Sequence, residues 1–214
     1  MPTPPSAPST AEERANCLSH VVGLLGALVS LPFLIFRAAR AGDASFIVGV
    51  AVFSASVLLL YLASALYHGL PPGRAKRVFQ TLDHSLVFFL IAGTYSPITL
   101  GALQGPWGWS LFGVVWGLAL IGILMKTFGK VNHPVLSTTL YVLMGWLIAV
   151  AAKPLMEKMP PVGLLLLLGG GLAYTGGVVF FAMESRWRYA HTIWHLFVIA
   201  GTALHFFAIL VTAP

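Results

Sequence analysis

The chain has 214 residues, of which 58% are apolar and only 8% charged, with a formal charge of +6 and a mean hydropathy of +0.89. Soluble domains carry about 25% charged residues, so a water-covered surface over most of the molecule is excluded. The single cysteine, Cys17, excludes an intramolecular disulfide framework and a thiolate metal cluster. The excess of Lys and Arg sits in loops, where membrane topology accounts for it and no nucleic-acid partner is called for.

The chain opens on MPTPPSAPST, which is polar and proline-rich with no basic run ahead of the first apolar segment, unlike a cleavable signal peptide. Residues 1–15 are expected to form a disordered polar tail. Seven apolar segments follow, at 18–36, 46–66, 85–103, 107–125, 135–152, 162–183 and 191–212. Each is long enough to cross a hydrocarbon core of about 30 Å as a helix. Pro and Gly punctuate the gaps at Pro71, Pro72 and Gly73, at Gly105 and Pro106, at Pro134, and at Pro160 and Pro161. The expected fold is therefore all-α: a seven-transmembrane-helix bundle forming one domain over residues 16–214. Glycines such as Gly169, Gly170, Gly171, Gly176 and Gly177 read as helix-packing positions. A homo-oligomer is left open.

Basic residues set the orientation. On the side of the N-terminus fall Arg14, Arg74, Lys76, Arg77, Lys126, Lys130, Arg186 and Arg188, and on the other side Arg37, Arg40, Lys153 and Lys158. This two-to-one bias places the N-terminus in the cytoplasm and the C-terminus outside.

Ionisable groups inside a membrane are costly and call for a reason. His68 ends the second span, Asp83 precedes the third, and His191 opens the seventh with His195 one turn later, so all four gather at one membrane face. The segment HTIWH sets His191 and His195 at i and i+4, on one side of a helix and about 6 Å apart along its axis. If the second and seventh spans are neighbours, His68 adds a third neutral nitrogen, and three protein ligands leave a zinc ion a fourth position for water. Asp83 would orient or deprotonate that water, and Ser64, one turn deeper than His68, would stand beside it.

Plainer readings stand next to these. A lone intramembrane histidine is usually a hydrogen-bonded packing residue, Asp83 alone reads as a helix N-cap, and Ser64 alone as a hydroxyl bonded to a carbonyl one turn back. It is the joint placement that favours metal. His205, ten residues beyond His195, lies too deep to share the ion and is assigned to interhelical hydrogen bonding or a cavity wall. His20, near Glu13 and Asn16, is a supporting or packing group; His84 and His133 are read as solvated, and Glu184, Arg186 and Arg188 as interfacial anchors.

Four stretches carry a resemblance: EERANCLSH at 12–20, SALYHGLPPGRAKRVFQTLDHS at 64–85, IAGTYSPITL at 91–100 and HTIWHLFVIAGTALH at 191–205. With their order of Ser-x3-His, Asp and His-x3-His, they resemble the hemolysin III family, bacterial relatives of the progestin and adipoQ receptors and, more distantly, of alkaline ceramidases. The resemblance implies a seven-helix bundle with a cytoplasmic N-terminus and a zinc ion near the cytoplasmic face. It implies His68, His191 and His195 as zinc ligands, Asp83 as the residue holding the metal's water, and Ser64 as the serine of the site. The expectation is a zinc-dependent hydrolase embedded in a bacterial inner membrane that cleaves an amide, or an ester, of a lipid-like substrate. The alternative is a channel-forming or cytolytic protein, or a receptor, in which zinc is structural. A pore would show a polar stripe through several whole spans, and the polar groups cluster at one end.

Overall fold

The length and apolarity of the seven segments leave the backbone one way to satisfy its hydrogen bonds in lipid, as helices, and that is the architecture of the computed structural model. It describes residues 8–128 and 134–213, so Lys130, His133 and residues 1–7 lie outside the described residues. In chain order the helices are α1 (Thr10–Ala41), α2 (Ala44–Gly69), α3 (Arg74–Pro97), α4 (Pro106–Thr127), α5 (Pro134–Trp146), α6 (Ala152–Lys158), α7 (Pro161–Ala182) and α8 (Ala190–Thr212). A π turn, Ile98–Ala102, extends α3, and a 3-10 stretch, Leu147–Ala151, joins α5 to α6. Seven of these units are long and apolar enough to cross a membrane, with α5 through α6 forming the fifth. Large apolar side chains such as Val29, Phe33 and Leu120 are exposed on their outer faces, as a lipid environment requires.

Two spans begin well before the sequence reading placed them. Helix α1 starts at Thr10 rather than 18, so residues 10–15 are its first turns instead of part of a polar tail. Ser9 caps it: its hydroxyl accepts from the Glu12 N–H while the Glu12 carboxylate accepts from the Ser9 N–H. This Ser-x-x-Glu capping box was a readable signal. Helix α3 starts at Arg74 rather than 85, which places Asp83 in its interior and removes the N-cap reading.

The fifth span is broken where the sequence suggested a continuous helix over 135–152. Pro154 has no N–H to offer the Val150 carbonyl and its ring crowds that position, so the preceding turn loosens. The hydroxyl of Tyr95, on α3, fills the gap. It accepts from the Ile148 N–H at 2.8 Å and reaches the Met144 and Gly145 carbonyls, each at 2.8 Å.

Helices α2 and α3 form the buried centre of the bundle. They approach so closely that a Cβ at Gly49 would lie 2.7 Å from the Pro97 backbone. Helix α1 packs on α2 and on α8, and α7 packs chiefly on α8. That arrangement brings the ends of α1, α2, α3 and α8 together at one face.

Candidate metal centre

His68, in the last turn of α2, and His191 and His195, in the first turns of α8, turn their rings toward one another. The ring centroids are 5.0 Å apart for His68 and His191, 5.1 Å for His68 and His195, and 4.6 Å for the pair on α8. One ring nitrogen from each lies within 4.8 Å of the other two, so the three could hold a metal ion. His68 and His195 are buried and His191 is half-buried.

Each imidazole is held on its outer edge. His68 Nδ1 lies 2.7 Å from Glu13 Oε2, and His191 Nδ1 lies 2.6 Å from Glu184 Oε2. His195 Nδ1 meets the Ser19 hydroxyl at 2.9 Å and the Asn16 carbonyl at 3.2 Å. The carboxylates and the Asn16 carbonyl only accept, and the Ser19 hydroxyl already donates to Asn16 O. In all three rings the proton therefore sits on Nδ1, leaving the Nε2 lone pair free. Nε2 of His68 and of His191 is buried without a hydrogen-bond partner. A buried acceptor left bare is costly, and a cation among the rings would relieve it. The residues thus fit a metal, with the outer hydrogen bonds fixing tautomer and orientation as metal-bound histidines require.

Glu13 also meets Lys76 Nζ at 3.2 Å, and Lys76 donates to the Tyr67 carbonyl. Glu12 binds a second segment: its Oε1 accepts from the Tyr189 N–H at 3.1 Å. Tyr189 has φ 60°, a left-handed conformation uncommon for a non-glycine residue, and this bond helps hold it immediately before α8, where it aims His191. The long first helix, about 48 Å from its 32 residues, is thereby a main support of the cluster.

Asp83 and Ser64 are both buried beside the trio. The Asp83 carboxyl faces the Ser64 hydroxyl and feels His191, while Ser64 Oγ closes no hydrogen bond of good geometry, not even to a carbonyl one turn back. The metal-capable trio consists of the histidines without Asp83. His20 lies behind them, stacked flat on His195.

The three other described histidines sort differently. His205 donates from Nε2 to the Leu167 carbonyl on α7 at 3.2 Å and also lines a cavity, so both readings of it hold. His84 is half-buried at the cavity mouth rather than solvated. His20 is the packing group expected. Glu184, an exposed residue, is also the partner of His191. Sequence reasoning missed the roles of Glu13, Glu184 and Ser19, because nothing in their spacing ties them to a histidine on another helix.

The cavity measures about 1540 Å³. It opens at the trio, with Asp83, Tyr67 and Lys126 nearby, and runs between α3, α5, α7 and α8 past Leu90, Ile148 and Leu168 to Leu155 and Leu164.

A family model described as haemolysin-III related matches residues 9–206. The chain is 43% identical over 199 residues to "Hemolysin-3" of Bacillus cereus, covering 93% of this chain and 90% of that protein. It is 42% identical over 199 residues to "Hemolysin-3 homolog" of Bacillus subtilis (strain 168), covering 93% of each. At 27% identity over 207 residues it also resembles "Monocyte to macrophage differentiation factor" of Homo sapiens, covering 94% of this chain and 84% of that protein.

Proposed function

The chain belongs to the haemolysin-III-related family of multi-pass membrane proteins, and on that premise we propose that it is a zinc-dependent hydrolase of an amide, or an ester, in a lipid-like substrate. The observation that carries this reading is three inward-facing imidazoles, each held at Nδ1, at the mouth of a long cavity walled by apolar side chains. His68, His191 and His195 would hold the ion through neutral nitrogens, a donor set that suits zinc. When bound there, zinc would polarise the substrate carbonyl and bring the pKa of a water toward about 7.

The chain's own groups supply the rest. Asp83 takes the proton of the attacking water on a carboxylate oxygen as the new C–O bond forms, then delivers it to the leaving nitrogen as the C–N bond breaks. Products are a carboxylic acid and an amine. Ser64 donates its hydroxyl proton toward the oxygen that gains negative charge. Leu90, Ile148 and Leu168 accept the chain and exclude water. The trio lies on the N-terminal, more basic side of the bundle, which on the positive-inside bias would face the cytoplasm; a bacterial inner membrane suits this reading.

The relatives' name "Hemolysin-3" favours a second reading, membrane lysis through a pore. The apolar walls of Leu164, Leu165 and Leu168 are unsuited to passing ions.

Metal analysis of the purified protein tests the first part: about one zinc per chain is expected, and a folded protein that binds none refutes it. Asp83→Ala should abolish hydrolysis of a fluorogenic N-acyl amide while keeping the metal. Unchanged turnover in that variant overturns the assignment of Asp83.

A further inference from the structure

A histidine far from the metal-capable trio remains unexplained by that chemistry. His205 is buried in the lipid-spanning part of α8, ten residues beyond His195 and so about 15 Å further along the axis. Its Nε2–H donates to the Leu167 carbonyl, which makes Nδ1 an acceptor, and Nδ1 is buried with no hydrogen-bond partner. The ring is built in: a Cβ at Gly170 would fall 2.5 Å from Nε2, so α7 is shaped to receive it. One turn further along α7 stands Tyr174, ring centroids 5.4 Å from His205, whose hydroxyl pairs with Thr202 Oγ1 at 2.8 Å. Both His205 and Tyr174 line the cavity, whose neighbouring wall is Leu164, Leu167 and Leu168.

Interhelical packing alone does not account for this arrangement. Leucine or phenylalanine would fill the space without bringing a bare acceptor into a low-dielectric interior, where an unpaired polar atom is costly. The Tyr174 hydroxyl, engaged with Thr202, does not serve it. Next to these residues Gly171 also lines the cavity, with nothing within 4 Å of where its side chain would stand. The wall is therefore open beside the ring while Nδ1 itself is covered, and a neutral donor matches that acceptor best, because a charged ammonium would lose its hydration at this depth.

We propose that His205 and Tyr174 form a second polar station of the cavity, which takes a hydroxyl group carried midway along an acyl-type chain. The proposal rests on the lipid reading above and narrows it to hydroxylated chains. At roughly 1.2 Å per bond in an extended chain, about a dozen bonds separate the station from the trio. The hydroxyl donates to His205 Nδ1, and the Tyr174 ring flanks it.

Displacement of a fluorescent fatty-acid probe from the purified, micelle-solubilised protein tests this, with octadecanoic acid and its 12-hydroxy and 2-hydroxy derivatives as competitors. One added hydrogen bond corresponds to roughly three- to tenfold in affinity, so the 12-hydroxy acid should compete that much better than its 2-hydroxy isomer. His205→Phe keeps a ring against Gly170 and removes Nδ1; it should erase the preference, so that the two hydroxy isomers compete equally. If that variant does not fold, the comparison of the two isomers on the unaltered protein still decides. Equal competition by both isomers overturns the proposal and leaves the lipid reading standing. Failure of all three acids to displace a bound probe, or of the probe to bind, overturns both.

Discussion

The imidazole of His20 lies flat on that of His195, with centroids 3.7 Å apart and planes 8° from parallel. Tyr61 continues the stack at 4.9 Å. His20 thus sets the plane of one member of the trio from a different helix, without being one of the three that could hold an ion. His20→Ala would leave a hole behind His195, and truncating a buried ring costs about 3–5 kcal/mol. A lowered melting temperature with weakened metal binding is expected, and His20→Phe should restore most of the stability by restoring the stack. Thermal unfolding in detergent checks both; full stability in the alanine variant would deny His20 that role.

Glu13 and Glu184 reach the trio only through the Nδ1 atoms of His68 and His191. Removing such outer partners typically costs 10- to 100-fold in metal affinity. Glu13→Gln and Glu184→Gln should each weaken zinc binding by that order in a chelator competition. Glu13→Gln should have the larger effect, because Glu13 is the more buried and also binds Lys76. Affinities equal to that of the unaltered protein would mean that the carboxylates do not support the ligands.

At the opposite face, Asp43 caps α2 by accepting from the Phe46 N–H at 2.9 Å, and Gln104 Nε2 donates to its other oxygen. Those bonds, the Phe46 one foremost, hold its carboxyl below the usual range. A lowered folded-state pKa contributes stability that is present above the unfolded value, about 3.9, and is lost as pH falls through the folded one. Asp43→Ala should therefore cost about 1 kcal/mol at pH 7, and the gap to the unaltered protein should narrow below about pH 4. Melting curves at pH 7 and pH 3 measure it, and a gap that widens in acid would contradict the capping account.

The spans and the three histidines were legible because they follow from local rules. A run of apolar residues specifies a membrane helix whatever its neighbours are, and i,i+4 spacing puts His191 and His195 on one helix face without reference to the rest of the chain. The starts of α1 and α3 were less legible, since polar and basic turns that project beyond the hydrocarbon lower the apolar signal. Pro154 carried the break in the fifth span, but the hydroxyl that makes the break tolerable belongs to Tyr95, on another helix.

The Glu13–His68 pair joins residues 55 apart in the chain, and the Ser19–His195 pair residues 176 apart. Such distances carry no periodicity to read. Composition and spacing determined the class of molecule, the seven crossings and the face at which the ionisable groups collect, because each depends on neighbours within a few turns. Tertiary packing alone decided which carboxylate holds which ring, that His20 backs His195, that Glu184 serves the cluster, and that a cavity runs inward from it to His205. These depend on how helices that lipid makes individually stable lean on one another, and in hydrocarbon that choice is made by close packing and a few buried polar contacts.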